Sequence, residues 1–196
     1  MARHSKREAI VEAGLRLVWH DGFGASGVAA ITAAGGAPKG SFYNHFASKD
    51  AFGVALVERY LDRIEALVGD LAADQRVLPR DRITAYFAEL RQRGARERFA
   101  AGCLIGNLSA EAPGPEVRDA LAAAYAEWAK HLGALVAGAQ RDGAAPDGDP
   151  AAIAALLIDG WQGALLRARA QRSGEPLDDF LSVTLPALLG PPQATP

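Results

Sequence analysis

Ser26-Gly-Val-Ala-Ala-Ile-Thr-Ala-Ala-Gly-Gly-Ala-Pro-Lys-Gly-Ser-Phe-Tyr-Asn-His-Phe-Ala-Ser-Lys-Asp50 reads as two very short helices joined by a glycine turn. Ser26 is expected to cap the first, because a serine hydroxyl accepts a hydrogen bond from the unpaired amides of a first turn. Val28, Ile31 and Thr32 then share one helical face. Gly35 and Gly36 end the helix, since glycine enters the left-handed conformation without steric cost, and Pro38 presets the backbone angle of a new first turn. In the second helix Phe42 and Phe46 face inward, leaving Lys39, Ser41, Tyr43, Asn44 and His45 outward. That mixture of cationic, hydroxyl and amide groups suits phosphates and base edges. Ser48 should cap a third, longer helix.

The run Pro38-Lys39-Gly40-Ser41-Phe42-Tyr43-Asn44-His45-Phe46, followed by Ser48-Lys49-Asp50, resembles the helix-turn-helix of the TetR family of bacterial transcriptional regulators. The resemblance covers residues 5 to about 60, and beyond them rests only on length and helical pattern. Two positions depart from the family: Gly35 stands where alanine is usual and Ala37 where a larger apolar residue is usual, which would loosen the turn. The resemblance implies an all-α chain of about nine helices, with a helix-turn-helix DNA-binding domain over 1–47 and a ligand-binding and dimerisation domain over 48–196. DNA contacts are expected from Arg3, Lys6, Ser26, Gly27, Lys39, Gly40, Ser41, Tyr43, Asn44, His45 and Lys49. The plainer reading of the same stretch is a helical hairpin whose aromatics fill a core.

At 196 residues the chain is long enough for a sizeable core. Its net charge of -2 is unevenly spread. Residues 1–50 hold six basic side chains against four acidic ones, leaving a modestly basic head and an acidic remainder, as suits a DNA-binding module joined to one of another function. The N-terminus lacks the apolar run of a signal peptide, and no stretch approaches the roughly 18 apolar residues that span a bilayer, so a cytoplasmic location is expected. A single cysteine excludes an intrachain disulfide, and His4, His20, His45 and His131 show no ligand spacing. No metal or cofactor is expected.

In chain order, Ser5 and Glu8 form a capping box, and Ile10, Ala13, Gly14, Leu17 and Val18 mark the buried face of a first helix ending at Asp21-Gly22. Arg3, His4, Lys6 and Arg7 make a short basic arm. From Ser48 to about Ala73 one long amphipathic helix carries Phe52, Leu56, Tyr60, Ile64, Leu67, Val68 and Leu71, and Gln75 to Pro79 breaks it. Further helices are expected over about Arg80–Glu97, from Gly102 to Glu111, over Pro115–Arg141, from Asp149-Pro150, and from about Pro176, the last kinked or ended by Pro186. The residues from Gly190 to Pro196 should fray.

A cavity among the body helices would be lined by Tyr86, Phe87, Phe99, Cys103, Asn107, Tyr125, Trp128 and Trp161. The segment around Cys103 resembles one found in a subset of TetR-family regulators, some of which respond to reactive electrophiles or small unsaturated acids, so Cys103 is either a sensing thiol or a small apolar core residue. Ile153, Leu157, Trp161, Leu165, Phe180, Leu181 and Leu185 form apolar stripes on the last two helices, suited to pairing with a second copy. A homodimer reads an inverted repeat in successive major grooves roughly 34–36 Å apart. The expected function is therefore a homodimeric repressor of a palindromic operator, released by a small molecule or a reactive electrophile. The alternative is a helical small-molecule-binding or interaction protein without DNA binding. An enzyme is not expected, because Asp159, Arg167 and Glu111 are scattered and form no acid, base or nucleophile constellation.

Overall fold

The computed structural model describes residues 6–73, 76–111 and 113–190, and every regular element among them is helical. In order these are α1 (Lys6–Asp21), α2 (Val28–Ala34), a 3-10 turn (Lys39–Ser41), α3 (Lys49–Ala73), α4 (Pro79–Arg96), α5 (Leu104–Ala110), α6 (Pro115–Arg141), α7 (Pro150–Gln171), α8 (Glu175–Asp179), a π-helical turn (Phe180–Thr184) and α9 (Leu185–Leu189). Arg3, His4 and Ser5, the side chains of Leu67, Val68 and Leu71, and the tail beyond Gly190 lie outside the described residues. Two compact units divide the chain: Met1–Ile64 with Cys103–Ala124, and Glu65–Gly102 with Tyr125–Pro196. The division falls inside α3 and inside α6.

In the first unit α1 turns Ile10, Val11, Ala13, Gly14, Leu15 and Val18 inward. Phe42 and Phe52 are fully buried and Phe46 nearly so, with ring centroids 5.2, 5.0 and 5.2 Å apart. Each buried ring contributes on the order of 1.5–3 kcal/mol, and each edge contact about 0.5–1.5 more. Ser48 caps α3 as expected, its Oγ accepting from the Ala51 amide at 2.9 Å. Arg59 bonds Glu12 at 3.0 Å, and Arg63 also reaches Glu12, tying α3 to α1. The paired glycines do separate work. Gly36 adopts φ +64 and makes the turn, whereas a Cβ on Gly35 would stand 3.1 Å from the Ala9 carbonyl oxygen and 3.2 Å from the Ile10 Cα. The expected looseness is thus replaced by close backbone packing of the end of α2 on α1.

In the second unit Phe87, Trp161 and Phe180 form a second buried triangle, with centroids 5.1, 4.9 and 5.3 Å apart. Asp149 caps α7 through the Ala151 amide, with Pro150 in its first turn. The C-terminal helix does not simply kink at Pro186. The proline lacks the N–H that would continue the ladder, and the preceding residues Phe180–Thr184 widen into a π turn before α9 resumes. Arg80 is buried and donates to the carbonyls of Leu189 and Gly190, closing the end of α9. Arg91 makes a bidentate pair with Asp178 at 2.8 and 2.9 Å, which holds the Asp178 carboxyl below its ordinary value.

Helix α7 corrects one sequence expectation. By length and composition alone it is long and apolar enough to cross a membrane. The helix is apolar on both sides: Ala154, Leu157, Ile158, Trp161, Ala164 and Ala168 are buried in the chain, while Leu156 and Leu166 remain 53% and 59% exposed. A helix of a soluble bundle shows the same composition when a second apolar surface is to cover its outer face.

Candidate nucleic-acid interface

The aromatic triangle of the first unit lies beneath the candidate interface. Between Pro38 and Phe46 the backbone forms the 3-10 turn followed by turns closed by His45 N–H to Phe42 O at 2.9 Å and Phe46 N–H to Phe42 O at 2.9 Å. The expected second α-helix is therefore shorter and tighter than its pattern suggests, because Gly40, Asn44 and His45 favour helix weakly and the segment is too brief to propagate. With Phe42 and Phe46 anchored below, Lys39, Gly40, Tyr43, Asn44 and His45 are exposed, Tyr43 by 61%. The Arg7 guanidinium lies over the Phe46 ring at 5.2 Å, and Lys6 is exposed at the start of α1.

Three expected contact residues are placed differently. Ser26 is buried, and its Oγ donates to the Gly22 carbonyl at 2.7 Å; Gly27, exposed and extended, takes the N-cap position of α2 instead. The reason is that a hydroxyl already bonded back into the preceding turn is turned away from the helix start. Ser41 has a covered hydroxyl with no hydrogen-bond partner among the described residues. Lys49 points its ammonium into the loop between α1 and α2, donating to the Phe23 carbonyl at 2.6 Å and the Gly24 carbonyl at 3.4 Å, 4.7 Å from the Phe23 ring centroid.

Glu111 escaped the sequence reading. Its carboxylate accepts from the Phe23 amide at 2.8 Å and the Gly24 amide at 2.6 Å, across separations of 88 and 87 residues. No local spacing encodes such a contact. The faint signal is Gly22-Phe23-Gly24, an aromatic between glycines where the backbone lies open to an acceptor. Asn107, expected in a ligand cavity, is nearly buried and donates to the Trp19 carbonyl at 3.3 Å.

Comparison with known proteins decides what this surface belongs to. Residues 10–56 match the bacterial regulatory proteins of the tetR family, and residues 79–184 match the tetracyclin repressor-like C-terminal domain. The chain belongs to the TetR family. It is 38% identical over 192 residues to the HTH-type transcriptional repressor DhaR of Mycobacterium sp. strain GP1, spanning 96% of this chain and 95% of that one. The crystal structure of regulatory protein TetR from Rhodobacter sphaeroides superposes with a TM-score of 0.88 at 32% identity, covering 94% of this chain and 99% of the other. The crystal structure of E. coli NemR in its reduced form does so with a TM-score of 0.84 at 30% identity, covering 97% and 100%. This TetR-family chain is thus a DNA-binding transcriptional repressor of the helix-turn-helix type, in a family of regulators rather than enzymes.

The residues expected around an effector are divided between the two compact units. Cys103 and Asn107 belong to the first compact unit, and Tyr86, Phe87, Phe99, Tyr125, Trp128 and Trp161 to the second. Cys103 is buried, and the Tyr60 hydroxyl donates to its Sγ at 3.6 Å. Phe87 and Trp161 are committed to the aromatic triangle. Tyr125 is half-buried and stacks on Trp128, with an interplanar angle of 14°. Trp128 is only 8% exposed, and its Nε1 is covered with no hydrogen-bond partner among the described residues. Of the expected pairing residues, Leu157, Trp161, Phe180 and Leu185 are covered within the chain, and Ile153, Leu165 and Leu181 are half-buried.

Proposed function

We propose that the protein is a homodimeric repressor of a palindromic operator, with residues 1–47 reading DNA and residues 48–196 binding an effector and pairing the chains. The observation that carries this reading is the uncovered apolar stripe of α7. Ala152, Leu156, Gly163 and Leu166 recur at steps of three, four and seven on its exposed side, and Val183 in the following π turn is 65% exposed. These residues replace the buried members of the expected pairing set. A single chain's reading turn contacts too few base pairs to be selective, whereas two such turns related by a two-fold axis read both halves of an inverted repeat. Lys39, Gly40, Tyr43, Asn44 and His45 are the proposed base and phosphate contacts, with Lys6 and Gly27 at the margin, and Arg3 is proposed with them from its place in the sequence. The setting is the cytoplasm, where operator DNA is found.

The unpartnered Nε1 of Trp128 supports an effector that offers a carbonyl or carboxylate oxygen, because a buried donor left unpaired costs about 1–3 kcal/mol. Effector release then follows from differential affinity for two body conformations, a coupling of commonly about 1–3 kcal/mol. The burial of Cys103 beneath Tyr60 favours a noncovalent effector over thiol modification. The test is the salt-dependent shift of a palindromic promoter fragment by the purified protein. Two chains per duplex are expected, and absence of a shift at low salt would reject the reading. Electrophile-induced release lost in Cys103→Ser would restore the sensing thiol.

A further inference from the structure

We infer that Glu111 and Lys49 are positioning residues for DNA recognition, together gripping the backbone of Phe23–Gly24 so that α2 and the reading turn are presented in a fixed pose. The grip is two-sided. The Glu111 carboxylate takes the amides of Phe23 and Gly24 at 2.8 and 2.6 Å, and the Lys49 ammonium takes the carbonyls of the same two residues at 2.6 and 3.4 Å. Three of the bonds, at 2.8 Å or less, have the short length of hydrogen bonds to a charged partner, the class roughly twice as strong as its neutral counterpart, and the 3.4 Å contact is a weaker fourth. The loop is shaped to receive them. Gly22 adopts φ +91, a conformation that favours glycine, and a Cβ there would stand 2.8 Å from Glu111 Oε1 and push that carboxylate off its bonds. Ser26 then returns its hydroxyl and its amide to the Gly22 carbonyl, closing the loop directly onto α2.

The two halves of the grip come from different parts of the sequence. Phe23, Gly24 and Lys49 lie in the segment matching the family's N-terminal DNA-binding pattern, whereas Glu111 lies in the segment matching its C-terminal pattern. Glu111 sits at the end of α5, whose Asn107 also holds the Trp19 carbonyl at the last turn of α1. A carboxylate on α5 therefore fixes the junction between α1 and α2, one helix away from the groups that face DNA. Lys49 has its ammonium engaged by carbonyls, which removes it from the set of lysines that displace counterions from phosphate.

The experiment uses the full chain and a DNA fragment recovered by the wild-type protein from a random-sequence pool. Affinity is measured across a salt series for wild type, Glu111→Ala, Glu111→Gln and Lys49→Gln, with amide hydrogen exchange at Phe23 and Gly24 and sedimentation as companion readouts. In Glu111→Ala those two amides should exchange about ten-fold or more faster, and DNA affinity should fall about ten-fold at every salt concentration. Glu111→Gln keeps one acceptor oxygen and should recover part of both losses; if Glu111→Ala does not fold, Glu111→Gln alone must show the smaller loss in each. Lys49→Gln should weaken binding while leaving the slope of log affinity against log salt unchanged. A slope reduced by about 0.9 in Lys49→Gln would mark a phosphate contact and overturn the inference. Wild-type exchange and affinity in both Glu111 variants would overturn it equally.

Discussion

Phe42, Phe46 and Phe52 in one unit, and Phe87, Trp161 and Phe180 in the other, are packed alike, with centroids 5.0–5.2 Å apart in the first and 4.9–5.3 Å in the second. They differ in what the same segments leave outside. The residues between Phe42 and Phe46 are Tyr43, Asn44 and His45, which carry hydrogen-bonding groups into solvent. The helix that bears Trp161 instead leaves Leu156 and Leu166 uncovered. An aromatic floor thus fixes a surface without deciding its partner. The outward residues decide it, polar ones for a hydrated phosphate backbone and apolar ones for a surface that excludes water.

The comparison breaks most visibly if the apolar outside is charged. Leu156→Glu with Leu166→Glu places four carboxylates at the proposed pairing face and should cost more than about 5 kcal/mol of association, giving monomers by sedimentation and at least a hundred-fold weaker operator binding. Dimers of wild-type affinity would show that α7 pairs elsewhere. Next in size are the floors themselves. Phe42→Ala and Trp161→Ala should each lower unfolding stability by about 3–5 kcal/mol in denaturant titration. The reading surface separates from its floor in Tyr43→Ala, which should leave stability within about 0.5 kcal/mol of wild type. DNA affinity in that variant should nevertheless fall by about 1–3 kcal/mol, measured by fluorescence anisotropy.

The smallest effect concerns the tie beside the second floor. Arg91 hydrogen-bonds Asp178 and lowers the pKa of its carboxyl, so the native state favours the ionised form. The resulting stability is fully present above the ordinary carboxylate value and is lost as pH falls through the lower folded-state value. Both groups meet solvent, so screening keeps the contribution under about 1 kcal/mol. Asp178→Asn should be slightly less stable than wild type at neutral pH, with the difference vanishing in acid unfolding curves.

The helical architecture was legible because its signals are local. Ser48, Asp149-Pro150 and Pro115 each start the helix they should, and Phe42 and Phe46 fall inward by spacing alone. Ser26 misled because a hydroxyl can bond either forward to a helix or back into the preceding turn, and only the folded loop chooses. On α7 the periodicity marked an apolar helix correctly, but spacing alone does not say which apolar side the chain itself covers: Leu157 and Trp161 are buried while Leu156 is exposed. Glu111 was invisible for a simpler reason: its partners are 87 and 88 residues away, and no spacing rule reaches that far.

The most direct test of the account is the stoichiometry and half-site dependence of DNA binding, read by sedimentation of the protein with fragments carrying a complete inverted repeat or one half of it. Two chains on the complete repeat, with at least a hundred-fold loss of affinity on the half-site, is the predicted result. One chain bound equally well to either fragment would contradict the pairing of an apolar face with a polar reading turn.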